Sequence, residues 1–231
     1  MSLNPSIRKV VPMSPPTASA NYDYFDIAEG SGVKNFYACT AIASGAQVAS
    51  SAIVHYLTTD ATDYSAHIAD KVKPATGGAL SIRRDRDFDL IFNLPKLIYG
   101  KARCSLSQGV DSGSGTTGVF CKIFLYHVRE GTETLMSSAV TEQTSKGGVG
   151  QTSTTKNVGL DLTSHRWHFK KGDILRLNVQ IWGYGNPATP DTIGIGIDPK
   201  DRDDVADYEN KVISDVHTTQ LKLSVPFIID I

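Results

Sequence analysis

The clearest pattern in this sequence is an alternation of apolar and polar residues between His168 and Gly183. The apolar positions are Leu175, Leu177, Val179 and Ile181, and the polar positions between them are Arg176, Asn178 and Gln180. Because the side chains of a strand point alternately to its two faces, a period of two predicts a half-buried strand. Gly172 and Asp173, just before it, are typical of a tight turn. The segment therefore predicts a central strand with one apolar and one polar face.

Similar short apolar or alternating segments recur along the chain, and no helical pattern competes with them. The predicted strands are 22–27, 35–40, 51–58, 87–93, 97–107, 119–128, 134–141, 175–182, 192–197 and 221–229. The longest predicted connections are 59–80, which has room for one short helical turn at 66–72, and the polar loops 109–118 and 145–157. Because Pro226 cannot donate a backbone hydrogen bond, the last strand is predicted to lie at a sheet edge or to carry a bulge.

About ten short strands, long connections and no internal repeat predict an all-β fold. The expected architecture is a single antiparallel β-sandwich domain of jelly-roll or Greek-key type over residues 21–231. Residues 1–20 contain four prolines and show no sustained periodicity. Since proline fixes its own φ and disfavours helix at the preceding residue, this segment is predicted to be an extended N-terminal arm. It is either a floppy terminus or a segment that orders against a neighbouring subunit.

The segment Val119–Val128 is apolar on both of its predicted faces. One face carries Val119, Cys121, Ile123 and Leu125, and the other carries Phe120, Phe124 and Tyr126. A strand of this kind is expected to be covered on both sides. The cover is either a second sheet of the same subunit or a subunit interface, since soluble monomers tend to avoid a continuous exposed apolar row.

Composition narrows the class of protein without naming a chemistry. The 231 residues carry a formal net charge of −1, which gives no reason to expect non-specific binding to nucleic acid or to an anionic membrane. Cys39, Cys104 and Cys121 are odd in number, have no C-x-x-C spacing and lie in apolar segments, so they are predicted to be free buried thiols of a protein made in a reducing cytoplasm. No signal peptide and no membrane-spanning segment are predicted.

Motifs for catalysis and for phosphate or metal binding are sparse. The glycine-rich segment 109–118 lacks the lysine of a phosphate-binding loop and lies between two predicted strands. His165 and His168 have an H-x-x-H spacing, but no nearby cysteine or glutamate completes a metal site. There is no G-x-S-x-G motif and no cysteine with an evident histidine partner, although dispersed residues can still converge in a fold. We therefore predict no catalytic residue, no metal site and no cofactor.

Two charged segments were considered as ligand sites. The first is an acidic loop with Asp198, Asp201, Asp203, Asp204, Asp207 and Glu209. Clustered carboxylates can bind calcium, but the spacing is not that of an EF-hand, and Lys200 and Arg202 partly neutralise the charge, so a solvated loop is favoured. The second is the run Arg83–Asp87, whose alternating signs indicate an ion-pair lattice at the surface or at a subunit interface.

Three segments carry a resemblance in strand pattern to a known class of proteins: YDYFDIAEGSGVKNFYACTA, FKKGDILRLNVQIWG and the closing LKLSVPFIIDI. They resemble virion structural proteins of tailed bacteriophages and related viruses, of the β-sandwich head-decoration, cement or minor capsid type. The resemblance implies a non-enzymatic protein of the virion, assembled in the host cytoplasm. It also implies a homotrimer that binds the major capsid protein or other virion subunits through a terminal arm or exposed loops. It transfers no functional residue.

Two functions from different classes follow from these observations. The first is a structural interaction module of a virion. The second is a carbohydrate-binding or receptor-binding β-sandwich in which Trp167, Trp182 and Tyr184 stack on sugar faces, although such aromatic residues are also ordinary core and rim residues. Loss of glycan binding on changing a tryptophan to alanine would favour the second, and stoichiometric recovery with purified particles would favour the first.

Overall fold

The computed structural model describes residues 31–42, 53–74, 80–113, 115–185, 191–202, 213 and 217–228. These residues form fourteen strands and no helix. The strands are β1 (Ser31–Ile42), β2 (Ile53–Thr58), β3 (Ala69–Val72), β4 (Ser81–Ile91), β5 (Lys96–Ile98), β6 (Lys101–Ser112), β7 (Thr116–Arg129), β8 (Thr132–Val140), β9 (Thr144–Gly147), β10 (Gly150–Asp161), β11 (Trp167–Phe169), β12 (Ile174–Tyr184), β13 (Thr192–Gly196) and β14 (Lys222–Ile228). A helix able to span a bilayer does not occur in these residues. The predicted arm 1–20 and the predicted strand 22–27 lie outside them.

The strands are joined in one continuous sheet that divides into two halves. The first, which we call the β12 half, has the order β4-β12-β7-β8, with β9 paired to β7. The second, the β14 half, has the order β3-β13-β6-β14-β1-β2. Three further strands are attached to it: β10 pairs with β6, β5 pairs with β14, and β11 pairs with β5. The halves meet at a single parallel pair, Tyr56 of β2 with Asp89 of β4, whereas all other pairings between described strands are antiparallel.

One hydrophobic core lies between the two halves, which makes them the layers of a jelly-roll-like β-sandwich. Leu175, Leu177, Val179 and Ile181 of β12 belong to the same buried cluster as Leu223, Val225 and Phe227 of β14. The predicted alternation of β12 is therefore confirmed, because all four of its apolar residues are fully buried and Arg176, Asn178 and Gln180 point to the opposite face. The predicted all-β sandwich is confirmed as well.

Three of the predicted connections are wrong in part because tertiary pairing overrides local composition. The polar segment 145–157 contains β9 and most of β10, and β10 pairs with β6 along its whole length. The proposed helical turn at 66–72 contains β3 instead, which pairs with β13. This pairing needs Gly194, because a Cβ there would lie 2.5 Å from the carbonyl oxygen of Asp70. The predicted loop 109–118 shrinks, since β6 extends to Ser112 and β7 begins at Thr116.

The last strand is also not at an edge, since β14 lies between β1 and β6. Its second neighbour changes along its length: Lys222–Ser224 pairs with β6, and Phe227 and Ile228 pair with β5. Pro226 faces the break between β5 and β6, where Gly100 has a positive φ of 122°. Because the Pro226 nitrogen meets no strand at this break, it does not need to donate a hydrogen bond, and proline is accommodated inside the sheet.

Candidate functional site: the outer face of the β12 half

Residues that point away from the core on β4, β12, β7 and β8 form one continuous surface, which we call the outer face. It follows from strand geometry, because the core takes every second residue of β7 and leaves the alternate set on the other side. Direct cross-strand pairs include Phe124 with Asn178 and Phe120 with Trp182. The segment Val119–Val128 is therefore covered on one side by the core, while its second side is part of the outer face.

The outer face has an aromatic side along β7 and the end of β12. The rings of Phe120 and Trp182 stack with their centroids 6.1 Å apart, and those of Phe124 and Tyr126 stack at 6.2 Å. Lys122 places its Nζ 3.9 Å from the centroid of the Trp182 ring, a cation–π contact. All four aromatic side chains are half-buried by contact with one another, and none belongs to the hydrophobic core.

Strand β8 extends this apolar surface to the end of the sheet. Leu135 lies opposite Tyr126 and Val140 lies opposite Lys122. Their exposed fractions are 49% and 58%, so both side chains stand largely in solvent beside the aromatic residues. Large apolar side chains exposed next to stacked aromatic rings are typical of surfaces that bind another protein.

The other side of the outer face is acidic. Asp85, Asp87 and Asp89 follow one another along β4, opposite the polar residues of β12. Arg176 lies among the carboxylates: its Nε is 2.7 Å from Asp89, and its Nη1 is 3.3 Å from Asp87 and 2.5 Å from Glu133 of β8. Hydrogen bonding to Asp89, together with the nearby carboxylates, raises the pKa of Arg176. With Lys122, these four carboxylates and two cations leave a formal charge of −2 on the outer face.

A second polar cluster lies at the start of β12 and has a structural role. Asp173 is buried and accepts hydrogen bonds from Arg129 Nη2 at 2.7 Å and from the Lys170 backbone N–H at 2.8 Å, and the His127 Nε2 lies 2.8 Å from its Oδ2. The His127 ring packs 4.1 Å from the ring of Phe169. These contacts connect the end of β7 with the turn that precedes β12.

The candidate metal residues that the structure describes do not form a metal site. His165 and His168 are both exposed. In the acidic loop, Asp198 is fully buried and ion-paired with Arg202 at 2.8 Å, while Asp201 accepts a hydrogen bond from Thr218. Asp203, Asp204, Asp207 and Glu209 lie outside the described residues. Within the residues that are described, no three histidine, cysteine, aspartate or glutamate side chains are placed to hold a metal ion.

The three aromatic residues proposed as a sugar platform do not share a surface. Trp167 contacts His127, which lies opposite Leu175 at the start of β12 and on the core side. Trp182 and Tyr184 lie on the outer face at the other end of that strand. Leu175 and Trp182 are seven residues apart, which at ~3.3 Å per residue separates them by roughly 23 Å.

The three cysteines are buried and free, as the sequence predicts. Burial raises the pKa of Cys104 to about 12 and also raises the pKa of Cys39 and Cys121. Thiolates are therefore disfavoured at neutral pH, and these side chains act as small apolar groups of the interior.

Comparison with known proteins gives matches among solved structures alone. No protein-family model and no curated protein matches this chain. Among solved structures, it is similar to a CocE/NonD family hydrolase from Staphylococcus aureus, with a TM-score of 0.41 and 11% identity over 86% of this chain and 37% of that chain. It is also similar to infectious bursal disease virus Gx strain (TM-score 0.31, 7% identity, 86% and 40% covered) and to the infectious bursal disease virus VP2 subviral particle (0.21, 7%, 86% and 42%).

The chain therefore spans about two fifths of the length of each of these structural neighbours. Proteins of a virus particle are among the neighbours, and so is a hydrolase. At these TM-scores and identities the likeness carries no argument about function, and no residue role is transferred from any of them.

Proposed function

We propose that this chain is a non-enzymatic structural protein of a virion that decorates or cements the particle by binding a neighbouring virion subunit through its outer face. The observation that carries the proposal is the aromatic side of that face. Phe120, Phe124, Tyr126 and Trp182 form stacked pairs on the solvent side of the sheet, and exposed Leu135 and Val140 continue the apolar surface to its edge. Burying such a surface on a partner removes apolar area from water.

The charges on the outer face specify the chemistry of the partner. Asp85, Asp87, Asp89 and Glu133 exceed the two cations beside them. The complementary surface therefore presents exposed apolar side chains flanked by lysine or arginine. A second copy of this chain, docked face to face, would bring two acidic surfaces together, and like-charge contact opposes that arrangement. A different subunit, such as the major capsid protein, is the partner that fits.

Two buried carboxylates elsewhere in the described residues are paired with arginines, and this pairing supports a binding role over catalysis. Asp173 is held by Arg129, His127 and a backbone N–H, and Asp198 by Arg202. These clusters connect loops to strands, and burial keeps the three thiols protonated. The bacteriophage origin, the trimeric state and the role of the arm at 1–20 are the parts of the proposal that come from the resemblance in sequence.

The proposal is tested with Leu135→Lys and a matched control, Val149→Lys. Both side chains are exposed, at 49% and 78%, but Val149 lies between β9 and β10, away from the outer face. Exposed substitutions of this kind change the free energy of unfolding by no more than about 0.5 kcal/mol, so both variants are expected to fold. Each is produced in place of the wild-type chain, and its copy number is measured by mass spectrometry in particles purified from the infection that produces the chain.

We expect the wild-type chain and Val149→Lys to be recovered in a fixed ratio to the other particle proteins. Leu135→Lys places a cation in the apolar part of the interface, opposite a partner surface that carries lysine or arginine, and is expected to lower recovery by about tenfold or more. Absence of the wild-type chain from purified particles would overturn the virion role. Unchanged recovery of Leu135→Lys would overturn the assignment of the outer face as the attachment surface.

A further inference from the structure

The inner face of β4 changes from apolar to charged toward the start of the strand. Phe88 and Leu90 are fully buried in the core. Toward the start of the strand, the same face continues with Arg86, opposite the buried Val179, and Arg84, opposite the buried Ile181. Because opposite residues of an antiparallel pair point to the same side of the sheet, both arginines extend between the two layers where apolar side chains would otherwise continue the core.

The two arginines line a pocket of ≈ 500 Å³ at this end of the sandwich. Its polar lining consists mainly of His55 from β2, His67, Asp70 and Lys71 from β3 and its preceding loop, and Arg84 and Arg86 from β4. The volume is within the range of ~300–1,000 Å³ that is typical of sites for small ligands. The pocket is separate from the outer face, because it opens on the opposite side of β4.

The positive charge of this pocket is incompletely neutralised. Asp70 is 8% exposed and accepts a hydrogen bond of 2.6 Å from Arg86 Nε. The Arg84 Nε approaches the other carboxylate oxygen to 3.6 Å, and this buried nitrogen has no hydrogen-bond partner in the described part of the chain. A guanidinium carries five N–H donors, so one carboxylate cannot accept from all the donors of two arginines. Lys71 adds a further positive charge, although it also interacts electrostatically with Asp111.

We propose that this pocket is a binding site for a small oxyanion, a phosphate, sulfate or carboxylate group held between Arg84 and Arg86. A guanidinium presents paired N–H groups that match the oxygens of such anions, and these charge-assisted hydrogen bonds are stronger than neutral ones. A bound oxyanion supplies the acceptor that the buried Arg84 Nε lacks and offsets the repulsion between the two arginines. The assignment goes beyond the proposed virion role and does not depend on it.

His55 couples this site to pH. Burial first, and then the charge of Arg86, lowers the pKa of His55, which is neutral at neutral pH for that reason. The other charged or titratable groups acting on His55 are Asp70 of β3, His67 of the preceding loop and Asp87 of β4. An oxyanion in the pocket adds negative charge beside His55 and favours its protonated form. Binding is therefore accompanied by proton uptake, and affinity increases as the pH falls.

The test is calorimetric titration of the full chain with sodium sulfate, sodium phosphate and sodium acetate at constant ionic strength. The variant is Arg84→Gln, and the matched control is Arg83→Gln. Arg83 is the preceding residue of the same strand, but it does not line the pocket and its Nε donates to the carbonyl oxygen of Lys73. The two variants lose the same formal charge, and circular dichroism establishes that both are folded. Sulfate serves for the pH series because its charge is constant between about pH 5 and about pH 8, where histidine titrates.

We expect saturable binding of at least one of the three anions to the wild-type chain. Arg84→Gln should weaken it by about tenfold or more, as expected for one charge-assisted hydrogen bond, and Arg83→Gln should leave it within about twofold. The rank of the three anions identifies the ligand group. No saturable binding of any of them, or an equal loss in both variants, would overturn the site. A sulfate affinity that is the same at about pH 5.5 and about pH 8 would overturn the coupling to His55.

Discussion

Asp173 and Asp70 are both buried carboxylates that face arginines, and they are associated with opposite ends of β12. Asp173 directly precedes that strand, whereas the arginines that meet Asp70 pair with Val179 and Ile181 near its other end. At Asp173 the carboxylate accepts hydrogen bonds from Arg129 and the Lys170 backbone and lies against His127. At Asp70, by contrast, a single carboxylate is shared by the guanidinium groups of Arg84 and Arg86.

The difference separates a charge cluster that holds the fold together from one that is prepared for a ligand. At Asp173 an arginine, the His127 ring and a backbone N–H converge on one carboxylate, and the cluster fixes a turn. Where donors are in excess around a cavity, as at Asp70, the protein carries a positive charge, and one buried guanidinium nitrogen, that a ligand can pair with. The balance of donors and acceptors in each cluster therefore bears on function more directly than the number of charges.

The largest effect is expected from Asp173→Asn, which removes the negative charge and replaces one of the two acceptor oxygens that His127, Arg129 and the Lys170 N–H share. Breaking a buried pair leaves the partner groups unsatisfied. Because Arg129 is 37% exposed and can be solvated, we expect a loss of about 2–3 kcal/mol in the free energy of unfolding, below the value for a fully buried pair. Urea denaturation measures it, with Glu142→Gln, an exposed carboxylate at 90%, as the control. A loss equal to that of the control would show that Asp173 does not fix the turn.

The pH dependence of the same variant gives a second measurement. Burial by itself raises the pKa of Asp173, but hydrogen bonds from Arg129, the Lys170 N–H and His127 outweigh it and hold the pKa below its ordinary value of 3.8. A carboxylate with a depressed pKa in the folded state stabilises the protein above its unfolded-state pKa and loses that contribution as the pH falls below it. The stability difference between the wild type and Asp173→Asn should therefore narrow below about pH 4. A constant difference would contradict this origin.

A smaller effect is expected from Asp70→Asn, which should strengthen sulfate binding while it lowers the stability of the unliganded protein. This change removes the carboxylate of the pocket and leaves Arg84 and Arg86 without a counter-charge. The bound oxyanion then becomes their main acceptor, so sulfate affinity should increase about three- to tenfold even though the unliganded protein is less stable. Thermal unfolding with and without sulfate measures both quantities, and Asp85→Asn on the outer face is the control. Weaker sulfate binding to Asp70→Asn would contradict the comparison.

The smallest effect concerns the buried cysteines, which are ionisable groups without a counter-charge. Cys104 and Cys121 are fully buried, and burial raises the pKa of both thiols. Since the thiolate is the reactive form, neither residue should react with a thiol reagent at neutral pH until the protein is denatured. Denaturation without reductant should then release three reactive thiols, including Cys39. Titration of only one would indicate a disulfide.

Alternation in the sequence was sufficient to predict β12 and the sandwich, but not every strand. Leu175, Leu177, Val179 and Ile181 are apolar enough to reveal their face locally. Strand β10 is rich in serine, threonine and glycine, and it is a strand because its backbone pairs with β6 along twelve residues. That pairing depends on residues about 50 positions away, which no local pattern records. The same holds for β3, which depends on Gly194 of β13.

The two candidate sites differ in how far the sequence could predict them. Both faces of Val119–Val128 are apolar, so an interface on the outer face was predicted as one of two alternatives. The sequence does not reveal the pocket, because the alternating signs of Arg83–Asp87 indicate an ion-pair lattice at the surface or at a subunit interface. In the fold the run is divided: Asp85 and Asp87 point to the outer face, and Arg84 and Arg86 point inward. The sequence does contain a signal for this division. In a strand that begins at Ser81, every second residue from Arg84 onward points to the same face, and these residues are Arg84, Arg86, Phe88 and Leu90.

The single parallel pair between Tyr56 and Asp89 determines how the sandwich responds to force. Long antiparallel ladders such as β12 with β7 resist separation along their whole length, whereas one bridging position offers almost no backbone resistance. The β12 and β14 halves are therefore held together mainly by the side chains between them. Under tension, the molecule should yield first at this seam and separate into two intact layers before either layer loses its own strands. Amide hydrogens beside the seam should exchange with solvent sooner than those within the ladders.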